Sequence, residues 1–150
     1  MVRTYIASDP RSGKREVVVE VRPDLPPEVA PQDLENLKRR LHERHIHMGM
    51  LVTPTTAYFV RDKFSSLDFS PDSYEVQQLG TSTLFSRVER GQVASGDGLY
   101  AQVKLWLEAV ARSWWTFVPD EALPMMLPEM VGGLAQADLE EWDELLDAAE

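Results

Sequence analysis

Arg15-Glu16-Val17-Val18-Val19-Glu20-Val21-Arg22 is the stretch whose reading decides the fold. Its β-branched residues and period-two alternation predict a strand. Val17, Val19 and Val21 face one side; Glu16, Val18, Glu20 and Arg22 face the other. Upstream, Asp9-Pro10-Arg11-Ser12-Gly13-Lys14 reads as a turn, and Arg3 to Ser8 as a partner strand, so the two segments form a hairpin. If the turn centres on Arg11 to Gly13, Glu20 lies opposite Thr4, give or take one residue.

Downstream, Pro23 to Pro31 holds four prolines and is a stiff, extended connection. A helix follows over Gln32 to His45, with Leu34, Leu37, Leu41 and Ile46 as its apolar stripe. Lys38, Arg39, Arg40 and Arg44 cluster toward its end, where cations suit the helix dipole. Met50 to Thr53 and Ala57 to Arg61 read as a second hairpin. Tyr74 to Leu79 and Thr83 to Val88 are weaker strand candidates, and Phe64 to Ser73 is a polar loop with Phe anchors. Gly96-Asp97-Gly98 opens the longest helix, with Asp97 as its N-cap. Leu99, Val103, Trp106, Leu107, Val110 and Trp114 recur along it at core spacing, whereas Trp115 points off that stripe toward an interface. Val118 to Gly133, with three Pro, three Met and two Gly, predicts an irregular apolar arm. Ala135 to Ala149 predicts an acidic amphipathic helix with Leu139, Trp142, Leu145 and Leu146 on one face. The expected fold is therefore α/β, a mixed central sheet with flanking helices. A domain over residues 1–118 is followed by an arm and helix over 119–150.

Charge divides the chain at the same point. The net charge is -10, from 15 Lys or Arg against 25 Asp or Glu. Residues 119–150 hold ten of the acids and no Lys or Arg, so residues 1–118 are balanced. This tail repels phosphate and attracts basic surfaces, which leaves nucleic acid the less favoured partner. The chain has no cysteine, which removes thiol chemistry and disulfides. No apolar run is long enough to span a bilayer, and the start does not read as a signal peptide. The expected setting is cytoplasmic, with no membrane.

The order of elements resembles the core of the restriction-endonuclease-like superfamily, the PD-(D/E)xK nucleases, including the nuclease domain of type I restriction subunits. The resemblance rests on Val19-Glu20-Val21-Arg22, the helix from Asp33 to His45, and Gly49-Met50-Leu51-Val52 with Tyr58-Phe59-Val60. It covers roughly the first sixty residues. It implies that Glu20 and Arg22 stand where the family's catalytic Glu and Lys stand, with Mg²⁺ as the cofactor of an active member. Arg is a poor replacement for that Lys, because it holds its proton and is a planar fork. Arg3, Thr4 and Tyr5 supply no second carboxylate opposite Glu20, and Asp9 lies several residues away. The ordinary alternative is that Glu20 and Arg22 form the solvent face of an edge strand or pair with Arg3.

Other candidates are weaker. His42, His45 and His47 match no metal-spacing motif and read as helix-end residues, so no metal ligand is assigned. Lys38, Arg39, Arg40 and Arg44 are candidates for phosphate or an acidic partner, against an ordinary solvated face. Met125, Met126 and Leu127, with Leu139, Trp142, Leu145 and Leu146, are candidates for contact with a protein partner or a second subunit. The leading functional expectation is a non-catalytic, nuclease-like interaction or regulatory subunit, without a cofactor. One rival is a Mg²⁺-dependent DNA nuclease in which Glu16, Glu20 and Arg22 act with Asp9 or Asp24. Another is an acidic, immunity-type inhibitor of a basic protein.

Overall fold

The structure is a computed structural model that describes residues 3–143 apart from 27, 30, 65 and 66. Six strands form one mixed sheet: β1 (Arg3–Ser8), β2 (Arg15–Val21), β3 (Met48–Val52), β4 (Thr56–Asp62), β5 (Tyr74–Gly80) and β6 (Asp138–Asp143). Their order is β5-β4-β3-β2-β1-β6. β2 and β3 are parallel and the other neighbours are antiparallel. A parallel pair needs a crossover, and α1 (Pro31–Glu43) supplies it. Among the described residues the α-helices are α1, the short α2 (Thr81–Leu84), α3 (Gly98–Phe117) and α4 (Leu123–Leu134).

The alternation in the opening stretch is what divides the core. Val17, Val19 and Val21 face the layer of α3 and α4, with Tyr5, Met50, Phe59, Trp106 and Leu107. Val18 faces the α1 layer, with Ile6, Leu37, Leu41, Leu51 and Val60. Because β2 is an interior strand covered on both sides, its residues from Val17 to Val21 are all buried.

Three expectations are corrected. Thr83 to Val88 is not a strand: the chain turns helical at Thr81, whose hydroxyl donates to Thr53 O at 2.7 Å. The irregular arm is α4. Pro124 falls in its first turn, where no intrahelical N–H is needed, and burial of Met126, Met130, Val131 and Leu134 outweighs the bond lost at Pro128. The acidic helix gives way to β6 over Asp138–Asp143, antiparallel to β1 from Arg3↔Asp143 to Ser8↔Asp138. The unsatisfied edge of β1 offers this segment a ladder of backbone hydrogen bonds, which local helix periodicity cannot match. Leu139 packs against the α3–α4 core, and Arg3 pairs with Glu141 at 3.5 Å. Asp97 sits at the N-cap of α3 but makes no side-chain capping bond.

Candidate functional site

Glu20 is central to any nuclease-like reading, and its surroundings are unlike an exposed carboxylate's. It lies opposite Thr4 on β1, as the hairpin register requires, and beside Leu51 on β3. It is only 1% exposed, so the edge-strand alternative fails: β2 is interior. Its partner is not Arg3. The guanidinium of Arg40, carried down onto the sheet by α1, donates to Glu20 Oε1 through Nε at 2.5 Å. Nη2 lies equally close. Burial of a carboxylate without a counter-charge is very costly, and a fork-shaped cation is the suitable compensation.

The other proposed members do not converge on it. Arg22 lies 3.6 Å from Asp24 and 3.9 Å from Asp33, at the start of α1. Asp24 thus faces Arg22 across an ion pair too long for a hydrogen bond. Asp9 is held in the β1–β2 turn, where the Arg11 backbone N–H donates to its Oδ1 at 2.9 Å and keeps its pKa low. It is at the far end of the hairpin from Glu20. Glu16 is skipped in the ladder, which passes from Ala7↔Val17 to Ser8↔Arg15 through a bulge. The bulge re-aims it: a Cβ placed on Gly133 of α4 would lie 3.0 Å from Glu16 Oε2. Among the described residues, no three His, Cys, Asp or Glu side chains are grouped to hold a metal ion.

The basic cluster on α1 is largely engaged at home. Arg40 holds Glu20, Lys38 donates to Pro71 O at 3.2 Å, and Arg39 lies 3.4 Å from Glu35 and over the Phe69 ring at 4.4 Å. The histidines are separated: His42 meets Phe69, His47 meets Phe64, and His45 takes a left-handed backbone that ends the helix. Of the partner-contact candidates, Met126 is core, and Met125 and Leu139 pack against it. Leu145 and Leu146 lie outside the described residues, as do the side chains of Leu127 and Trp142. Trp115 is 64% exposed, as its position off the α3 stripe predicts.

Surface hollows flank the sheet, and two of them border residues discussed above. One, of about 740 Å³, runs between the proline-rich connection with the start of α1 and strands β4 and β5, along Val29, Leu34, Tyr58, Val76 and Gln78. The other, of about 350 Å³, is bounded by His47, Arg61, Lys63, Phe64 and Glu129. Arg61 is already paired with Glu75 at 2.7 Å, which lowers the pKa of that carboxyl.

Arg40, grouped by sequence with a phosphate or acidic-partner patch, is instead a counter-charge of Glu20. One signal was present: Arg40 follows Leu37 by three positions, so it borders the apolar stripe that packs on the sheet. Comparison with protein-family models, curated proteins and solved structures gives no match to this chain.

Proposed function

We propose that this chain is a non-catalytic, nuclease-like interaction domain that binds a basic protein partner at its acidic carboxy-terminal end. The observation that carries the first half is the Glu20–Arg40 pair. A catalytic carboxylate of a metal-dependent nuclease must reach a hydrated cation and an attacking water. Glu20 is instead enclosed and neutralised by an arginine that keeps its proton. Arg22, in the position of the family's Lys, is turned toward Asp24 and Asp33.

The second half follows from charge and from the correction of the arm. With Met125, Met126 and Leu139 used in the domain's own core, the contact moves to β6, whose Asp138, Glu140 and Glu141 are exposed. Electrostatic complementarity then selects a basic partner.

Two measurements test this. Supercoiled DNA incubated with Mg²⁺ or Mn²⁺ is expected to remain intact. Cleavage by wild type that is abolished in Glu20→Ala overturns the non-catalytic reading in favour of a nuclease. For binding, the proteins that co-purify with wild type are compared with those recovered by the Asp138→Lys/Glu140→Lys variant. Loss of a basic partner is expected, and unchanged recovery with the variant folded rules out the carboxy-terminal surface.

A further inference from the structure

The two ends of the sheet are guarded unequally. An edge strand exposes backbone donors and acceptors, and proteins protect such edges with charge, proline or a bulge. β6 carries Asp138, Glu140, Glu141 and Asp143, so pairing with its own copy would bring carboxylates together. Among the described residues, β5 has neither proline nor bulge, and its charge is already paired. Its sequence, Tyr-Glu-Val-Gln-Gln-Leu-Gly, includes no proline or lysine, its seven-residue register with β4 runs without a bulge, and its one charge, Glu75, is neutralised by Arg61. Among the described residues, β4 is its only strand neighbour.

We propose that β5 is a homodimerisation edge, at which a second copy of this chain adds its own β5 antiparallel and continues the sheet through both molecules. The register follows from the hydrogen bonds. Thr81 N donates to Thr55 O at 3.1 Å and Lys63 N to Ser73 O at 2.8 Å, so odd-numbered positions bond toward β4. Val76 and Gln78 therefore turn their backbone N–H and C=O outward. Full overlap of two seven-residue strands places the two-fold axis at Gln77. Val76 of each copy then exchanges both bonds with Gln78 of the other, as an isologous contact requires. Glu75 falls opposite Leu79, so no like charges meet, and the second copy is the occupant whose charge and register this edge fits. Val76 and Gln78 also border the 740 Å³ hollow, so pairing sets a second Val76 beside an existing partly apolar surface. The β5 edge lies at the opposite end of the sheet from β6, the proposed partner contact.

The absence of cysteine makes the register directly testable. Gln77→Cys places two thiols on the axis in a non-hydrogen-bonded pair, at a Cα separation of about 4.5 Å that a disulfide spans. Mild oxidation of the full chain is expected to give a covalent dimer. Gln78→Cys, whose opposite residue is Val76, is expected to crosslink far less. In sedimentation analysis the wild type should move from 17.0 kDa toward twice that mass as concentration rises. Gln77→Lys should remain monomeric, and mixing it with Gln77→Glu should restore a heterodimer, a rescue that a misfolded variant could not give. A wild type that stays monomeric up to about 0.5 mM overturns the proposal. So does equal crosslinking at both positions, or dimerisation that Gln77→Lys leaves unchanged.

Discussion

Arg40 is the residue on which Glu20 depends. Arg40→Ala removes the counter-charge from a carboxylate that stays inside the protein. The expected cost is about 2–4 kcal/mol, somewhat below that of a fully enclosed pair because the Arg40 side chain is 34% exposed. Replacing both residues with Leu should recover much of that loss, since the isolated charge disappears with its partner. Urea unfolding of the wild type, single and double variants measures the difference. Tyr74 gives a second residue-scale prediction. Burial, with a smaller contribution from Asp62, pushes its pKa up to about 12. The folded state thus keeps a proton that the unfolded chain releases near pH 10, and stability falls as pH rises from 10 to 12. The loss is about 2–3 kcal/mol for a shift of this size. Tyr5 and Tyr100, also raised chiefly by burial, add to it in the same direction. Tyr74→Phe should flatten alkaline unfolding between those pH values, and an unaltered slope would assign the effect elsewhere.

Among the elements, α4 shows how closely packing can select a residue. Its two adjacent glycines have opposite surroundings. A Cβ on Gly133 would lie 3.0 Å from Val17 Cγ2 and from Glu16 Oε2, whereas one on Gly132 would meet nothing within 4 Å. Gly133→Val should therefore push the helix from β2 and cost about 1–3 kcal/mol. Gly132→Ala should stabilise by about 0.5–1 kcal/mol, because it removes backbone freedom inside a helix without a clash. Thermal unfolding of the two variants is expected to shift in opposite directions. The same segment marks a limit of local reading. Prolines and glycines predict an irregular arm, but Met126, Met130, Val131 and Leu134 gain enough burial to hold a helix.

For the whole molecule, the carboxy-terminal segment is a structural member of the sheet. Deleting residues 136–150 would uncover β1 along its whole length and remove Leu139 from the core. The expected cost is about 3 kcal/mol, or roughly 10 °C in Tm for a chain of this size. The exposed β1 edge should also promote aggregation. Calorimetry and light scattering check both effects, and a truncated chain with unchanged Tm would contradict this role of β6. Point substitution of the exposed acids is consequently the cleaner probe of partner binding.

Much of the amino-terminal half was legible in the residues themselves. Alternation in Arg15 to Arg22 predicts a two-sided strand, the turn chemistry sets Thr4 opposite Glu20, and the Leu34, Leu37 and Leu41 spacing predicts α1. These are local signals, because hairpin register and helix periodicity depend on neighbours in sequence. The candidate site was only half legible: Glu20 was found, but its burial and its pairing with Arg40 depend on where α1 crosses the sheet. Beyond α3, which its own apolar spacing predicted, the chain was decided by tertiary structure. Leu139 and Trp142 have helical spacing, yet β1 needed a hydrogen-bonding neighbour, and Asp138 to Asp143 supplied it as a strand. Composition alone established the acidity of that segment, since charge is counted residue by residue. Its backbone conformation was settled by a partner strand more than a hundred residues away, because the hydrogen bonds it completes are not contained in its own sequence.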